Sequence, residues 1–360
     1  MQSYPLHSLI EGSWFKLICG ASYQHLPAVR SLALTYSLAG ADCVDVAADP
    51  AVIAAAREGI EVAQKLSDKT DPSALPWLMV SINDGEDPHF RKAKFDVTQC
   101  PSDCPQPCVR VCPADAIDLN CGGIIDSICY GCGRCVPICP QELIATQSYI
   151  SSWDRVLPWI ESMAVDAVEI HTSVGHYNDF KQVWQKISPS IGRLKLLAIS
   201  CTDAPDVIDY LRSLHDLISP LPCPLIWQTD GRSMSGDIGK GTTHGTIAFA
   251  RKVLQAQLPG YIQLAGGTND YTVEKLQQAK ILGRSNSRLK VSGLAYGSYA
   301  RTILSSTIAK LETGLQPDRF LSNQHQSMKQ LIKLEQNQEL LEQAVGTAKK
   351  LVSQIKTAGL

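Results

Sequence analysis

Residues 16–22 read Lys16-Leu-Ile-Cys-Gly-Ala-Ser22, an apolar run that breaks at Gly20. Leu26, Val29, Ala33 and Tyr36 follow at the three-to-four spacing of an amphipathic helix. An apolar strand, a small-residue turn and a helix make one βα unit. The unit recurs along the chain, with strands predicted at Cys43–Asp49, Trp77–Asp84, Val165–Thr172, Lys195–Cys201, Pro224–Asp230, Tyr261–Gly267 and Lys290–Leu294. Helices are predicted at Asp154–Ala164, Asp179–Ile187, Ala204–Ile218, around Ile247, Ala250 and Leu254, at Asp270–Leu282 and at Ser298–Leu311. Near-continuous apolar strands separated by helices imply a parallel sheet covered on its outside. Eight such units predict an α/β protein, a (β/α)8 TIM-like barrel of the usual size, about 250 residues plus an insertion. A doubly wound open sheet uses the same units in another strand order.

The chain has 360 residues, 44% of them hydrophobic and 19% charged, enough for a sizeable core and against disorder. Lys+Arg 33 against Asp+Glu 35 gives a net charge of -2, so no nucleic-acid partner is expected. No apolar run reaches the roughly 18 residues of a membrane helix, and Met1 to Phe15 lacks the pattern of a secretory signal. The expectation is a cytoplasmic protein that does not span a membrane.

Thirteen cysteines are the outlier, and nine of them fall between Cys100 and Cys139. The block interrupts the βα register after the third strand, so it reads as an insertion into one βα loop, beside the mouth where barrel active sites sit. An odd count and the lack of an export signal favour metal ligation over disulfides. Cys129-Tyr-Gly-Cys132-Gly-Arg-Cys135-Val-Pro-Ile-Cys139-Pro is the C-x2-C-x2-C-x3-C-P run of bacterial ferredoxins, whose fourth cysteine ligates the neighbouring cluster. Gly131 and Gly133 let backbone amides approach the sulfurs. Upstream, Cys100, Cys104, Cys108 and Cys112-Pro113 form a related run with three-residue gaps throughout. By the crossover rule, Cys129, Cys132, Cys135 and Cys112 hold one [4Fe–4S] cluster, and Cys100, Cys104, Cys108 and Cys139 the other. The wider gaps leave Cys121 as an alternative ligand. Zinc is the competing metal, but it has no use for eight thiolates in this spacing. Cys19, Cys43, Cys201 and Cys223 sit in or beside predicted strands and read as small buried apolar residues.

Glycine loops follow the last strands, with Gly266 and Gly267 after the seventh and Gly293, Gly297 and Ser298 at the eighth. Barrels usually bind phosphate there, so these residues are candidates for a flavin or other phosphate-bearing ligand, with tight turns as the plain alternative. The loop from Asp230 to His244, with Arg232, Asp237 and Lys240, could bind or cover a ligand. His171 at the end of the fourth strand is either an acid–base group or a structural histidine. The tail carries Leu331, Leu334, Gln338, Leu341, Val345, Ala348, Val352 and Ile355 at alternating three and four spacing. That seam suits either pairing in a homodimer or packing along the chain's own barrel. The resulting division is residues 1–95 and 149–316 for the barrel, 96–148 for a two-cluster ferredoxin-like module and 317–360 for a C-terminal helical tail.

The cysteine block, the Ile18–Ser22 segment and the Asp230–His244 segment resemble the light-dependent period protein LdpA family of cyanobacteria, over nearly the whole chain. The resemblance implies an iron–sulfur protein that reports photosynthetic redox state to the circadian clock. Its implied partners are clock-associated proteins such as the input kinase and KaiA, and its input an electron donor or a quinone-pool signal. Three functions stay open: a redox sensor, an iron–sulfur oxidoreductase that uses a flavin at the mouth, and a scaffold whose clusters only fold the insertion.

Overall fold

The computed structural model describes residues 4–67, 74–112, 114–129, 131–148, 157–158, 165–231, 239, 241–282, 289–313 and 333–358. In chain order its strands begin with β1 (Trp14–Gly20), β2 (Cys43–Ala47) and β3 (Trp77–Asn83). The insertion then supplies β4 (Arg91–Lys94), β5 (Ile117–Asp118), β6 (Gly123–Ile124) and β7 (Ala145–Ser148). The rest are β8 (Ala167–Thr172), β9 (Leu196–Thr202), β10 (Leu225–Asp230), β11 (Tyr261–Ala265) and β12 (Gly293–Tyr296). Strands β1, β2, β3 and β8 to β12 close into one parallel barrel in the order β1-β12-β11-β10-β9-β8-β3-β2. All eight predicted strands are present and the barrel, not the open sheet, is the fold.

The strands read as almost continuously apolar because both faces of each are buried. Outward-facing Phe15, Leu17, Val44, Val46, Val80, Ile82, Ile199, Trp227 and Leu264 join the main core under the helices. The alternate positions Trp14, Cys43, Met79, Ala167, Ala198 and Ile226 form a separate apolar plug inside the lower barrel. Helix α1 (Pro5–Glu11), which the periodicity did not suggest, adds Leu9 to that plug and closes the end where the strands begin.

Helices α2 (Leu26–Ala39) and α3 (Pro50–Leu66) start at prolines in their first turn, where a missing N–H costs nothing. Asp49 caps α3 by accepting from the amides of Ala51 and Val52 at 2.9 and 3.1 Å. In the insertion α4 (Pro107–Val111) is short. Helices α5 (Tyr177–Ile187), α6 (Val207–Ile218), α7 (Thr243–Ala256), α8 (Thr272–Gln278) and α9 (Ser298–Thr313) follow their strands as the spacing predicts. The helix read at Asp154–Ala164 lies almost wholly outside the described residues, as do Arg232–Ile238 and Lys240 of the long loop.

Strand β12 begins three residues later than its predicted counterpart at Lys290. Gly293, read as part of a ligand loop, is therefore a strand residue at the lower end of the barrel, paired with Trp14 and Gln263. A Cβ there would lie 2.5 Å from the Trp14 carbonyl oxygen and 2.6 Å from its side chain. Its role is close strand packing, not ligand approach. Gly293→Ala should destabilise the barrel by about 1–3 kcal/mol, seen as a lower urea midpoint at unchanged iron content.

The tail helix α10 (Gln338–Ala358) buries Ala344, Ala348, Leu351, Val352 and Ile355, packing against α2 and α9. Lys356 donates to Asp42 at 2.5 Å and to the Ser8 hydroxyl at 3.0 Å, while Arg30 grips Glu335 at 2.5 and 2.9 Å. Of the two readings of the seam, packing along the barrel is the arrangement seen. Most of the apolar face that a homodimer would use is covered by the chain itself.

Candidate functional site

The insertion leaves the barrel after β3 and returns before β8, and its neck is the antiparallel pair β4–β7, from Arg91↔Ser148 to Lys94↔Ala145. Its small core is built from Ala93, Ala116, Ile117 and Ile144 around Cys108, Cys129 and Cys135. Cys112, Cys129, Cys132 and Cys135 line one cavity together with Gly131 and Gly133. Burial pushes the Cys135 thiol up to about 12, and next the nearby Cys132, Cys129 and Cys112 sulfurs add to the shift. Cys100 is raised by desolvation and then by Cys104, Cys108 and Cys139, so these four are electrostatic neighbours of one another. The structure thus sorts the eight sulfurs into two groups and brings Cys112 across to the downstream run. The Cys121 side chain lies outside the described residues.

Backbone amides aim at these sulfurs. Ala93 N–H donates to Cys129 Sγ at 3.5 Å and Ala116 N–H to Cys112 Sγ at 3.3 Å. Cys139 is lowered despite some desolvation, because the amides of Leu143, Gln141, Ile144 and Glu142 favour its thiolate. Gly131 and Gly133 have φ of 69° and 74°, left-handed values that turn the backbone around the sulfurs and suit glycine. Eight thiols gathered in two groups, several raised first by burial and then by neighbouring sulfurs, with amides poised for negative charge, fit a bound iron–sulfur group.

Above the plug, the inward positions of the barrel strands turn polar. Lys16 on β1 is fully buried, its ammonium in direct contact with Glu169 on β8 and 3.4 Å from Asp45 on β2. Burial opposes its charge, but Glu169 and Asp45 outweigh that and hold the proton on. Glu169 also accepts from His171 at 3.0 Å and from Gln228 at 2.8 Å. Burial works against its ionisation too, yet Lys16 and His171 hold its carboxyl well below the usual range. The Nδ1 of His171 faces Asp87 at 3.6 Å, and His89 donates to Asp87 at 2.9 Å. Both imidazoles stay charged above their ordinary range: burial opposes this, and the carboxylates prevail. Lys16, Glu169, His171, Asp87 and His89 therefore form a chain of alternating charge from the barrel interior to the root of β4.

Over this chain lies a cavity enclosing about 660 Å³, part of it continuous with solvent, lined by His89, His171, Asp230, Gly266, Gly297 and Arg301 among others. Gly267 and Ser298 line it as well. Gly267 carries φ of 98°, and a Cβ would meet the Thr242 carbonyl at 2.7 Å, so the turn itself explains this glycine. Gly297 differs, since a Cβ there would make only ordinary contacts, the nearest at 3.6 Å to Arg301. Arg301 donates to the Ile18 and Cys19 carbonyls at 2.9 and 3.1 Å and to Ser298 Oγ at 3.1 Å. His244 is exposed, whereas Asp230 is buried on Ser200. Cys19, Cys43 and Cys201 are buried in the barrel wall, and Cys223 is half-buried.

Sequence reasoning found His171 but missed Lys16, Asp45, Glu169, Asp87 and His89. For Lys16, Asp45 and Glu169 the signal was present: an ionisable residue inside an apolar strand, in phase with the inward positions, has to be paired. Asp87 and His89 lie in the segment between β3 and β4, where no such pattern marks them.

Fold and site define a class: a parallel (β/α)8 barrel bearing, in its third βα loop, a cysteine module suited to iron–sulfur clusters. Residues 100–150 match the LdpA Fe-S cluster-binding domain and residues 159–354 the Light dependent period A C-terminal domain. The chain is 50% identical over 356 residues to Light dependent period A of Synechococcus elongatus, covering 99% of this chain and 95% of that protein. This chain belongs to the light dependent period A family and is an iron–sulfur protein. Similar solved structures are 4-hydroxy-tetrahydrodipicolinate synthase from Methylacidiphilum fumariolicum and N-acetylneuraminate lyase from Fusobacterium nucleatum. The first has 9% identity and a TM-score of 0.38, covering 97% of this chain and 99% of that one. The second has 10% identity and a TM-score of 0.34, covering 94% and 98%. These likenesses are too distant to bear on chemistry. Among the described residues no helix is long and apolar enough to cross a membrane.

Proposed function

We propose that this protein is a redox sensor. In this reading Cys112, Cys129, Cys132 and Cys135 hold one [4Fe–4S] cluster and Cys100, Cys104, Cys108 and Cys139 a second. Photosynthetic redox state, arriving from an electron donor or the quinone pool, would then reach clock-associated proteins through altered partner binding. The name of the Synechococcus relative ties that protein to a light-dependent period, and the identity over almost the whole chain supports carrying the role across. The clusters, when bound, supply one-electron exchange at potentials set by hydrogen bonding and exposure.

The observation that carries the reading is the connection from sulfur to barrel. Ala93, whose amide sits on Cys129 Sγ, belongs to β4, and β4 begins directly after His89 and Phe90. Phe90 meets the His171 ring edge-on at 5.2 Å. Extra negative charge on Cys129 tightens the Ala93 amide, and through the neck it bears on the Asp87–His171–Glu169–Lys16 chain. On the module's other side Gln24 N–H donates to the Ser127 carbonyl at 3.0 Å, and Lys92 bridges Gln24 and Asp126. These contacts seat the module on the barrel rim, where a change of order would alter the surface a partner meets. Partner affinity should differ by about fivefold or more between reduced, oxidised and cluster-free protein. Calorimetry with purified clock proteins checks this, and equal affinity in all three states would sink the proposal.

A second reading, an iron–sulfur oxidoreductase with a flavin or another phosphate-bearing ligand at the mouth, is favoured by Gly297. A Cβ there would make only ordinary contacts, 3.6 Å to Arg301 and 3.7 Å to Ile18, and Gly297 and Arg301 both line the cavity at the mouth. A flavin spectrum in freshly purified protein, lost in Gly297→Leu, would support it; iron–sulfur absorption alone would count against it.

A further inference from the structure

We infer that Asp87, His89 and His171 form a mononuclear site for a divalent transition-metal ion, separate from the cysteine module, at the junction of the barrel mouth and the module's root. One donor atom from each residue lies within 4.8 Å of the other two. Metal–ligand bonds of about 2.0–2.2 Å place donors roughly 3 to 3.5 Å apart, so side-chain rotations of an ångström or so complete the geometry. Asp87 already joins the set, one oxygen 2.9 Å from His89 Nδ1 and the other 3.6 Å from His171 Nδ1.

Three further features match a metal centre more than an ordinary ion cluster. His171 is gripped on its far nitrogen by Glu169 at 3.0 Å, the outer carboxylate that metal-bound histidines usually have. Glu169 is in turn fixed by Lys16 and Gln228, so the ring that would face the ion is held on both sides. The site is also built on fixed supports: His171 ends a barrel strand, and Phe90 packs its edge against that ring. Finally, His89 and His171 both line the open cavity at the mouth. A three-ligand site facing a cavity keeps coordination positions free for water or a small ligand. Two imidazoles, each releasing a proton to solvent as the ion takes its nitrogen, and one carboxylate suit iron(II), manganese(II) or zinc(II), and not the calcium or magnesium that all-oxygen sites select.

The three residues are separate from the cysteines however those are loaded, and Mn2+ is the probe because that ion has little affinity for thiolates. Cluster-loaded full-length protein, purified without oxygen and washed with a mild chelator, is titrated with MnCl2 while free Mn2+ is followed by electron paramagnetic resonance. One Mn2+ per chain should bind, with affinity weakened at least tenfold in His89→Gln and Asp87→Asn. Glu169→Gln should cost 10–100-fold through the outer shell. Iron content should be unchanged in His89→Gln, which keeps a polar side chain at a position outside the cysteine module's core. Absence of binding, or binding in His89→Gln and Asp87→Asn equal to that of the unaltered chain, would overturn the site. Should those variants fail to fold, pulsed resonance of the Mn2+-bound unaltered protein decides: imidazole 14N coupling supports the site, and its absence refutes it.

Discussion

Lys16→Met should lower the stability of the barrel by about 3–5 kcal/mol, among the largest losses a single side chain here can cause. The methionine fills most of the space, so the loss is electrostatic. Glu169 and Asp45 would be left buried without their cation, one in contact with it and the other 3.4 Å away. Unfolding in urea, followed by the fluorescence of buried Trp14 and Trp227, measures the change. The pH dependence gives a second check. In the unaltered protein Glu169 is held below its unfolded value, so its ionised form contributes stability that is present above about pH 4.3 and lost on further acidification. Without Lys16 the buried carboxyl takes up a proton more readily, so the variant regains stability as pH falls from 8 towards 5 and the gap narrows. Adding Glu169→Gln to Lys16→Met should recover most of the loss at pH 8. A gap independent of pH, with no recovery in the double variant, would mean that Lys16 acts by packing alone.

Cys112→Ser should remove the same iron as Cys132→Ser, although Cys112 belongs to the upstream run. The four sulfurs around that one cavity are Cys112, Cys129, Cys132 and Cys135. Each of the two variants should drop from about eight irons per chain to about four and leave the same residual spectrum. Cys104→Ser and Cys139→Ser should match each other and leave the complementary spectrum, because Cys139 lies with Cys100, Cys104 and Cys108. Iron and sulfide analysis on oxygen-free preparations reads this directly. Cys112→Ser behaving like Cys104→Ser would refute the crossover, and about four irons in the unaltered chain would refute the second cluster.

The barrel was legible because each strand hides both faces and each helix hides one, which writes two different periods into the chain. The eighth strand was misplaced by three residues because Val291 and Leu294 are apolar on either side of Gly293, and only the pairing with Trp14 fixes where the strand starts. Helix α1 escaped notice since seven residues carry too few turns for a periodic signal. The seam in the tail was visible, but whether it meets another chain or its own barrel depends on contacts such as Lys356 with Asp42, more than 300 residues apart.

What the sequence alone determined is local: strand and helix alternation, and thiols at spacings that curl around a metal. Those properties arise between residues a few positions apart, where backbone geometry dictates which side chains share a face. Tertiary structure alone decided that Lys16, Glu169, His171, Asp87 and His89 stand in one line of alternating charge. Closure of the barrel brings residues from β1, β8 and the root of the insertion within a few ångströms, and a buried charge finds its partner across that space and not along the chain.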